Sequence, residues 1–313
     1  ACRHFAEFVG GHCLQAWSQS LGHRVVLVFS STAFVVENAL MATAPTLGHF
    51  GLAHVAGGLL FSNGGLESSC IAATMRSTRA QAAAHVRLFA VMGAALALGP
   101  VIGGNLLVHH TGSAVFVVAE ALGFSALLCA LAGLPEYPTV EDHGAWQFQG
   151  STEPSPRVGW YCCATALGGL GMAMFGVVSV LWMNSTLGWG PQEVGLFTGL
   201  TGCVQLVANV VIAPKLLAAL PFSATQVVAA CLLMNALRFL AFAADPGGGW
   251  MCAALLMTAP GFCSTPLLSH LCSRCLSGTE DEATWTGRIA VLNTAASVAG
   301  AAAGAHLMSR ALG

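Results

Sequence analysis

Of 313 residues, 56% are hydrophobic and only 8% charged, with a mean hydropathy of +0.73 and a net charge of −2. An ordinary soluble domain carries about 25% charged residues, so this composition excludes a water-soluble globular protein. The near-neutral charge excludes a basic nucleic-acid binder. What remains is an all-α, multi-pass membrane protein, because helices satisfy their own backbone in lipid.

Windows of about 20 apolar residues place ten candidate spans, at 1–17, 25–46, 50–74, 86–108, 113–134, 158–183, 193–213, 224–244, 249–272 and 286–309. The first is weak, because Arg3, His4, Glu7 and His12 interrupt it. The polar stretch 135–157, rich in Pro, Ser and acidic residues, reads as a flexible linker. It divides the chain into 1–134 and 158–313, with five spans on each side. With the first loop taken as cytoplasmic, the cytoplasmic loops hold Arg24, Arg76, Arg79, Arg87, Arg157, Lys215, Arg274 and Arg288, eight of the 11 basic residues. This is a strong positive-inside bias, and it makes the linker cytoplasmic. The N-terminus has no secretory pattern. The chain begins at Ala1 rather than Met, which suggests a fragment or a processed chain.

The 12 cysteines lie mostly within apolar runs and read as small hydrophobes. Cys272 and Cys275 form a lone CxxC with no second pair, a weak metal or redox signal. No Ser/His/Asp set, phosphate loop or metal cluster stands at usable spacing, so no enzyme, metal or cofactor is expected.

Span 86–108 is punctuated by Gly93, Gly99, Pro100, Gly103 and Gly104. Gly and Pro cost roughly 1 and 3 kcal/mol in a soluble helix, but in lipid small residues let helices approach closely. Gly99 and Gly103 stand four apart and are expected to form a contact ridge, with Pro100 as a kink point. The GPxxGG run resembles the fifth-helix signature of the major facilitator superfamily, especially its antiporter branch. Residues 16–27, AWSQSLGHRVVL, are similar to the loop between that family's second and third helices, with Leu14, Gly22 and Arg24 matching. Gln19, Ser20 and His23 replace an acidic and two basic residues of the pattern, so the family's cytoplasmic charge clasp is mostly neutral here. His54-Val-Ala-Gly57-Gly58 resembles the fourth-helix R-x-x-x-G pattern, with His54 in place of Arg. Gly133-Leu-Pro-Glu136 resembles the end of the sixth helix. Residues 188–200 resemble the turn into the eighth helix of the tetracycline-resistance-like group.

The resemblance implies a major facilitator-like bundle of about ten transmembrane helices in two pseudo-symmetric halves. The chain would begin in the family's second helix and end after its eleventh, lacking the first and twelfth. It implies a secondary transporter, a monomer in the lipid bilayer, that exports a small organic solute by alternating access against proton entry. A strongly charged substrate such as a phosphate ester does not fit, since no cluster of Arg or Lys faces the midplane.

A charge at the centre of a span costs roughly 2.5–3.5 kcal/mol on translocon scales, so each needs a reason. Glu37, Glu67 and Glu120 are candidate proton-coupling carboxylates, and Glu7 lies in the weak first span. Asn63 lies one turn before Glu67 on the same face, a candidate cavity-lining residue. His54 could join proton exchange, since histidine titrates near neutral pH. Each of these has a structural alternative, as a hydrogen-bonded or packing residue. Arg238 reads as a snorkelling side chain or a partner of Asp245. Thr201, Gln205 and Asn209 form a stripe at i, i+4 and i+8 that either joins helices or lines a cavity, and Gln205 and Asn209 are carried as cavity candidates. Pro260 and Pro266 are expected to interrupt span 249–272 twice. Two other functions stay open: a transport-inactive membrane scaffold or sensor, favoured by the eroded clasp, and an uncoupled facilitator.

Overall fold

The structure is a computed structural model that describes residues 2–61, 66–67, 70–71, 74–75, 78–110, 112–133, 157–219, 224–244, 247–276 and 282–312. Among these residues all regular structure is helical. The helices are α1 (Cys2–Leu21), α2 (His23–Ala42), α3 (Leu47–Leu60), α4 (Thr78–His109), α5 (Gly112–Gly133), α6 (Arg157–Leu187) and α7 (Pro191–Val207). A π-helical turn, Ala208–Ile212, joins α7 to α8 (Ala213–Ala219). Then come α9 (Ala224–Ala244), α10 (Gly248–Met257), a 3₁₀ turn (Ala259–Cys263), α11 (Ser264–Leu276) and α12 (Glu282–Leu312).

Each expected span overlaps at least one helix among the described residues. Six of the described helices are long and apolar enough to cross a membrane, or seven if the bent pair α10–α11 is one span. Large apolar side chains lie on their outer faces, among them Leu122 at 63% and Leu240 at 66% exposed. In water that surface would aggregate; in lipid it is the solvated face.

Two expectations are corrected. Span 50–74 is not one continuous helix: α3 stops after 14 residues, where Phe61 turns to extended backbone. Span 249–272 is broken once, not twice. The chain bends by 56° at the junction of α10 and the 3₁₀ turn. Pro260 stands in that turn, while Pro266 lies in the first turn of α11. There a proline removes only a backbone N–H that has no helical partner.

The chain forms two compact units, and each takes segments from both sides of the linker. The first comprises Ala1–Thr74, His110–Val178 and Leu276–Gly313. In it α1 packs on α2, α3 and α12, and α2 packs on α3 and α5. Gly22, at φ +87°, makes the turn from α1 to α2, a backbone that only glycine enters without strain. Gly300 and Gly304 of α12 lie against the backbone of Leu170 and Met174 in α6, so close that a Cβ at Gly300 would overlap the Leu170 carbonyl.

The second unit comprises Met75–His109 and Ser179–Cys275. Its spine is α4 against α7. A Cβ at Gly93 would stand 2.7 Å from the Leu206 nitrogen, and one at Gly104 2.6 Å from the Pro191 carbonyl oxygen. From the other side, Gly195, Gly199 and Gly202 face Pro100, Val101 and Ala97. The ridge on α4 therefore runs through 93, 97, 100 and 104, the i+3/i+4 stripe of one helical face. Gly99 lies off that stripe, exposed, with open space where its Cβ would be, which corrects its place in the ridge. Gly103 is half-buried beside it. α4 runs on through Pro100 without a break.

Candidate functional site

In the first unit, three helices bring charged and titratable side chains to one point. Glu37 lies in the C-terminal third of α2, with its side chain 1% exposed. Its Oε1 accepts a hydrogen bond from Arg3 Nη1 of α1. The same oxygen lies 2.9 Å from His54 Nδ1 of α3. Arg3 Nη1 is also 2.8 Å from His54 Nδ1, and Arg3 Nε donates to Glu7 Oε1 at 2.7 Å. Glu37 Oε2 is buried without a hydrogen-bond partner.

Apolar helices carry these groups because each charge is balanced by its neighbours. The Arg3–Glu7 pair is spaced i, i+4 on one face of α1, so the weak first span is a helix with an internal ion pair. Small residues on α3 make the approach possible. A Cβ at Gly57 would overlap the Glu37 carboxyl group, and one at Gly58 would stand 2.9 Å from the Arg3 carbonyl oxygen. The His54 ring stacks on Phe50, which meets Phe116 of α5 edge-on.

The geometry limits where one proton can sit. Arginine only donates. His54 Nδ1 can accept from Arg3, or it can carry a hydrogen and donate to Glu37, but it cannot do both at once. If Nδ1 accepts from Arg3, its single lone pair is used and its contact with Glu37 is not a hydrogen bond. If Nδ1 is protonated, Glu37 accepts from two donors as a carboxylate. A hydrogen on Nδ1 therefore decides whether His54 pairs with Glu37 or with Arg3. His54 is the open end, with 39% of its side chain exposed.

No family model matches the chain. Two curated relatives do. The class D tetracycline resistance protein of Salmonella ordonez is 26% identical over 273 residues, covering 83% of this chain and 66% of that protein. The class G tetracycline resistance protein of Vibrio anguillarum is 26% identical over 295 residues, covering 90% of this chain and 72% of that protein. This chain thus spans roughly two thirds of the relatives' length. Among solved structures, the human organic anion transporter MFSD10 matches with a TM-score of 0.73 at 19% identity, over 96% of this chain and 74% of that one. The chain has an all-α membrane fold like that of MFSD10. Its two sequence relatives are tetracycline resistance proteins, the group that residues 188–200 resemble.

The other expected residues are scattered. Arg24 Nη2 donates to the Leu131 carbonyl at 3.1 Å, closing the last turn of α5. Glu67 is half-buried, beside buried Leu66, and Glu120 is half-buried on α5. Neither hydrogen-bonds to Arg3, Glu37 or His54. Asn63 lies outside the described residues. Gln205 is half-buried, and Asn209, fully buried in the π turn, donates back to the Gln205 carbonyl at 2.9 Å. Thr201 bonds the Phe197 carbonyl of its own helix.

Arg3 is not among the expected site residues, and Glu7 is named there only as lying in the weak first span. Their i, i+4 spacing was the signal, since opposite charges at that interval in an apolar helix neutralise each other.

Proposed function

We propose that the chain is a proton-coupled exporter of a small organic solute that works by alternating access. The carrying observation is the buried Glu37 carboxyl, shared between Arg3 and His54. Protons enter at the exposed His54 ring and pass to Glu37. A protonated Glu37 weakens its hold on Arg3, and a charged Glu37 tightens it, so α1, α2 and α3 are held differently in the two states. A proton gradient then biases one arrangement over the other.

Residues 1–134 and 158–313 act as two halves joined by a cytoplasmic linker, 135–157. In that reading α4 and α7 come from different halves, as do α1 and α12. The glycines along α4 and α7 give a smooth surface, with little side chain to interlock, along which two helices can shift. Rocking of the halves about such surfaces opens the solute site to alternate sides.

The test is reconstitution in liposomes with a pH-sensitive dye inside, an imposed proton gradient, and a panel of lipophilic neutral, cationic and anionic solutes. Solute-dependent proton flux that is lost in Glu37→Gln supports the reading. Solute movement without proton flux would make the chain an uncoupled facilitator. A second reading, a transport-inactive scaffold or sensor, is favoured by Gln19, Ser20 and His23, which stand where the resembled loop pattern carries charges. Folded, inserted protein that moves no solute would establish it.

A further inference from the structure

We propose that the second unit holds a binding site for a monoanionic organic solute, a carboxylate on an apolar body, anchored by Arg238. Arg238 lies within α9 and is 3% exposed. Its guanidinium carbon sits 4.2 Å from the ring centre of Phe262 and 5.2 Å from that of Phe239. Nη1 is buried and has no hydrogen-bond partner. A guanidinium stays charged, and a buried charge with an unused donor calls for an anion. Aromatic faces stabilise the cation but leave its in-plane donors free.

The unit offers little to fill that place. Its sequence contains two carboxylates, Glu193 and Asp245. Glu193 is exposed and accepts from the Gly190 backbone nitrogen at 2.9 Å, at the start of α7. Asp245 lies outside the described residues.

Two further buried side-chain oxygens in this unit lack a partner. Asn235 stands one turn before Arg238 on α9. Its Nδ2 donates to Ser264 Oγ at 3.0 Å, and its Oδ1 is buried without a partner. Asn209, in the π turn, also has a buried, unpartnered Oδ1. The Cys263 thiol donates to the Ala208 carbonyl at 3.3 Å, which ties the π turn to the 3₁₀ turn that carries Phe262. A Cβ at Gly261 would stand 2.8 Å from Asn235 Oδ1, so the close approach requires glycine there. Irregular backbone at membrane depth is tolerated where it is buried in protein or lines a cavity, and π turns recur at functional sites. The arrangement supplies one cationic donor held against two phenyl rings, in a unit whose buried amide oxygens on α9 and the π turn are also unpartnered. With a single positive charge it suits a carboxylate and not a dianion.

The site is separate from the Glu37–His54 pair, and its test reads binding rather than flux. A chain that fails as a proton-coupled carrier could still pass it. The full chain in neutral detergent is titrated with 1-naphthoate and with its neutral isostere 1-naphthamide, by probe fluorescence. The expected result is naphthoate binding at least about tenfold tighter than naphthamide. Arg238→Gln should abolish that preference, and Arg238→Lys, which keeps the charge, should retain part of it. Asp245→Asn should leave it unchanged. Equal affinity of the wild-type chain for the two probes would overturn the proposal, as would a preference that survives in folded Arg238→Gln. Naphthoate affinity raised about tenfold by Asp245→Asn would also overturn it, because Asp245 would then be the native counter-ion. Displacement of naphthoate by phosphatidylglycerol would identify a lipid headgroup as the occupant, with the same consequence.

Discussion

Nδ1 of His54 lies 2.9 Å from Oε1 of Glu37, joining the exposed edge of α3 to the interior of α2. Arg3 reaches both atoms with one nitrogen. A carboxylate held by two donors is stable, and one that loses its charge is not, because the guanidinium is then left without its counter-ion. Glu37→Gln keeps the shape but cannot carry the charge. It should abolish proton-driven solute movement in liposomes. Glu37→Ala removes the partner outright and should destabilise the chain by roughly 3–5 kcal/mol, the scale for breaking a buried ion pair. Thermal unfolding in detergent checks the second effect and dye-reported flux the first. Full flux in both variants would make Glu37 a structural residue.

Gly57 decides whether Glu37 can occupy its place. A Cβ there would overlap the carboxyl group, which Arg3 and His54 already hold. Gly57→Ala should therefore displace Glu37 from His54 and lower proton-driven flux sharply. Gly51, on the same helix, has open space around it. Gly51→Ala should leave flux unchanged and raise stability by up to about 1 kcal/mol, through helix propensity alone. Parallel flux and melting measurements on the pair separate loss of the site from general disturbance of α3.

Which parts were legible from sequence follows from the same residues. Composition and the apolar windows located the helices, because in lipid a backbone has few other ways to satisfy itself. Glu37 and His54 stood out because charge in an apolar run is costly. That they meet depends on the Gly22 turn and on the Gly57–Gly58 gap, which bring α1, α2 and α3 together, and residue order does not show which faces touch. Arg3 and Glu7 were set against the first span for the very charges that pair within it. The ridge was read from the four-residue spacing of Gly99 and Gly103, but the face that packs is set by α7. Arg238 looked like a snorkelling side chain, and only the bend at Pro260 brings Phe262 over it. Here the missed features are tertiary ones, made by helices distant in sequence.

Packing between α4 and α7 gives a graded test of the glycine surface. A Cβ at Gly202 would overlap the backbone of Ala97 in α4, and backbone cannot rotate away. Gly202→Ala should cost about 1–3 kcal/mol, as overpacking does, and slow transport if the two helices shift past each other. Gly99→Ala, on the open face of α4, should be neutral or stabilising by up to about 1 kcal/mol. Unfolding midpoints of the two variants, measured in the same detergent, should differ in sign or by several degrees. Equal midpoints would mean that α4 and α7 are not in close contact in the membrane.

The turn between α1 and α2 makes a separate prediction, because it sets the direction from which Arg3 approaches Glu37. Gly22 has φ +87° and ψ 148°, a region closed to residues with a Cβ. Gly22→Ala should cost roughly 1–3 kcal/mol of backbone strain. The strain can be relieved only if α1 tilts relative to α2, which would lengthen the Arg3–Glu37 contact across 34 residues of chain. The variant should therefore lose stability and proton-driven flux together. Thermal unfolding in detergent and dye-reported flux on the same preparation check both effects. Lost stability with flux intact would separate the turn's role in folding from its role in aiming Arg3.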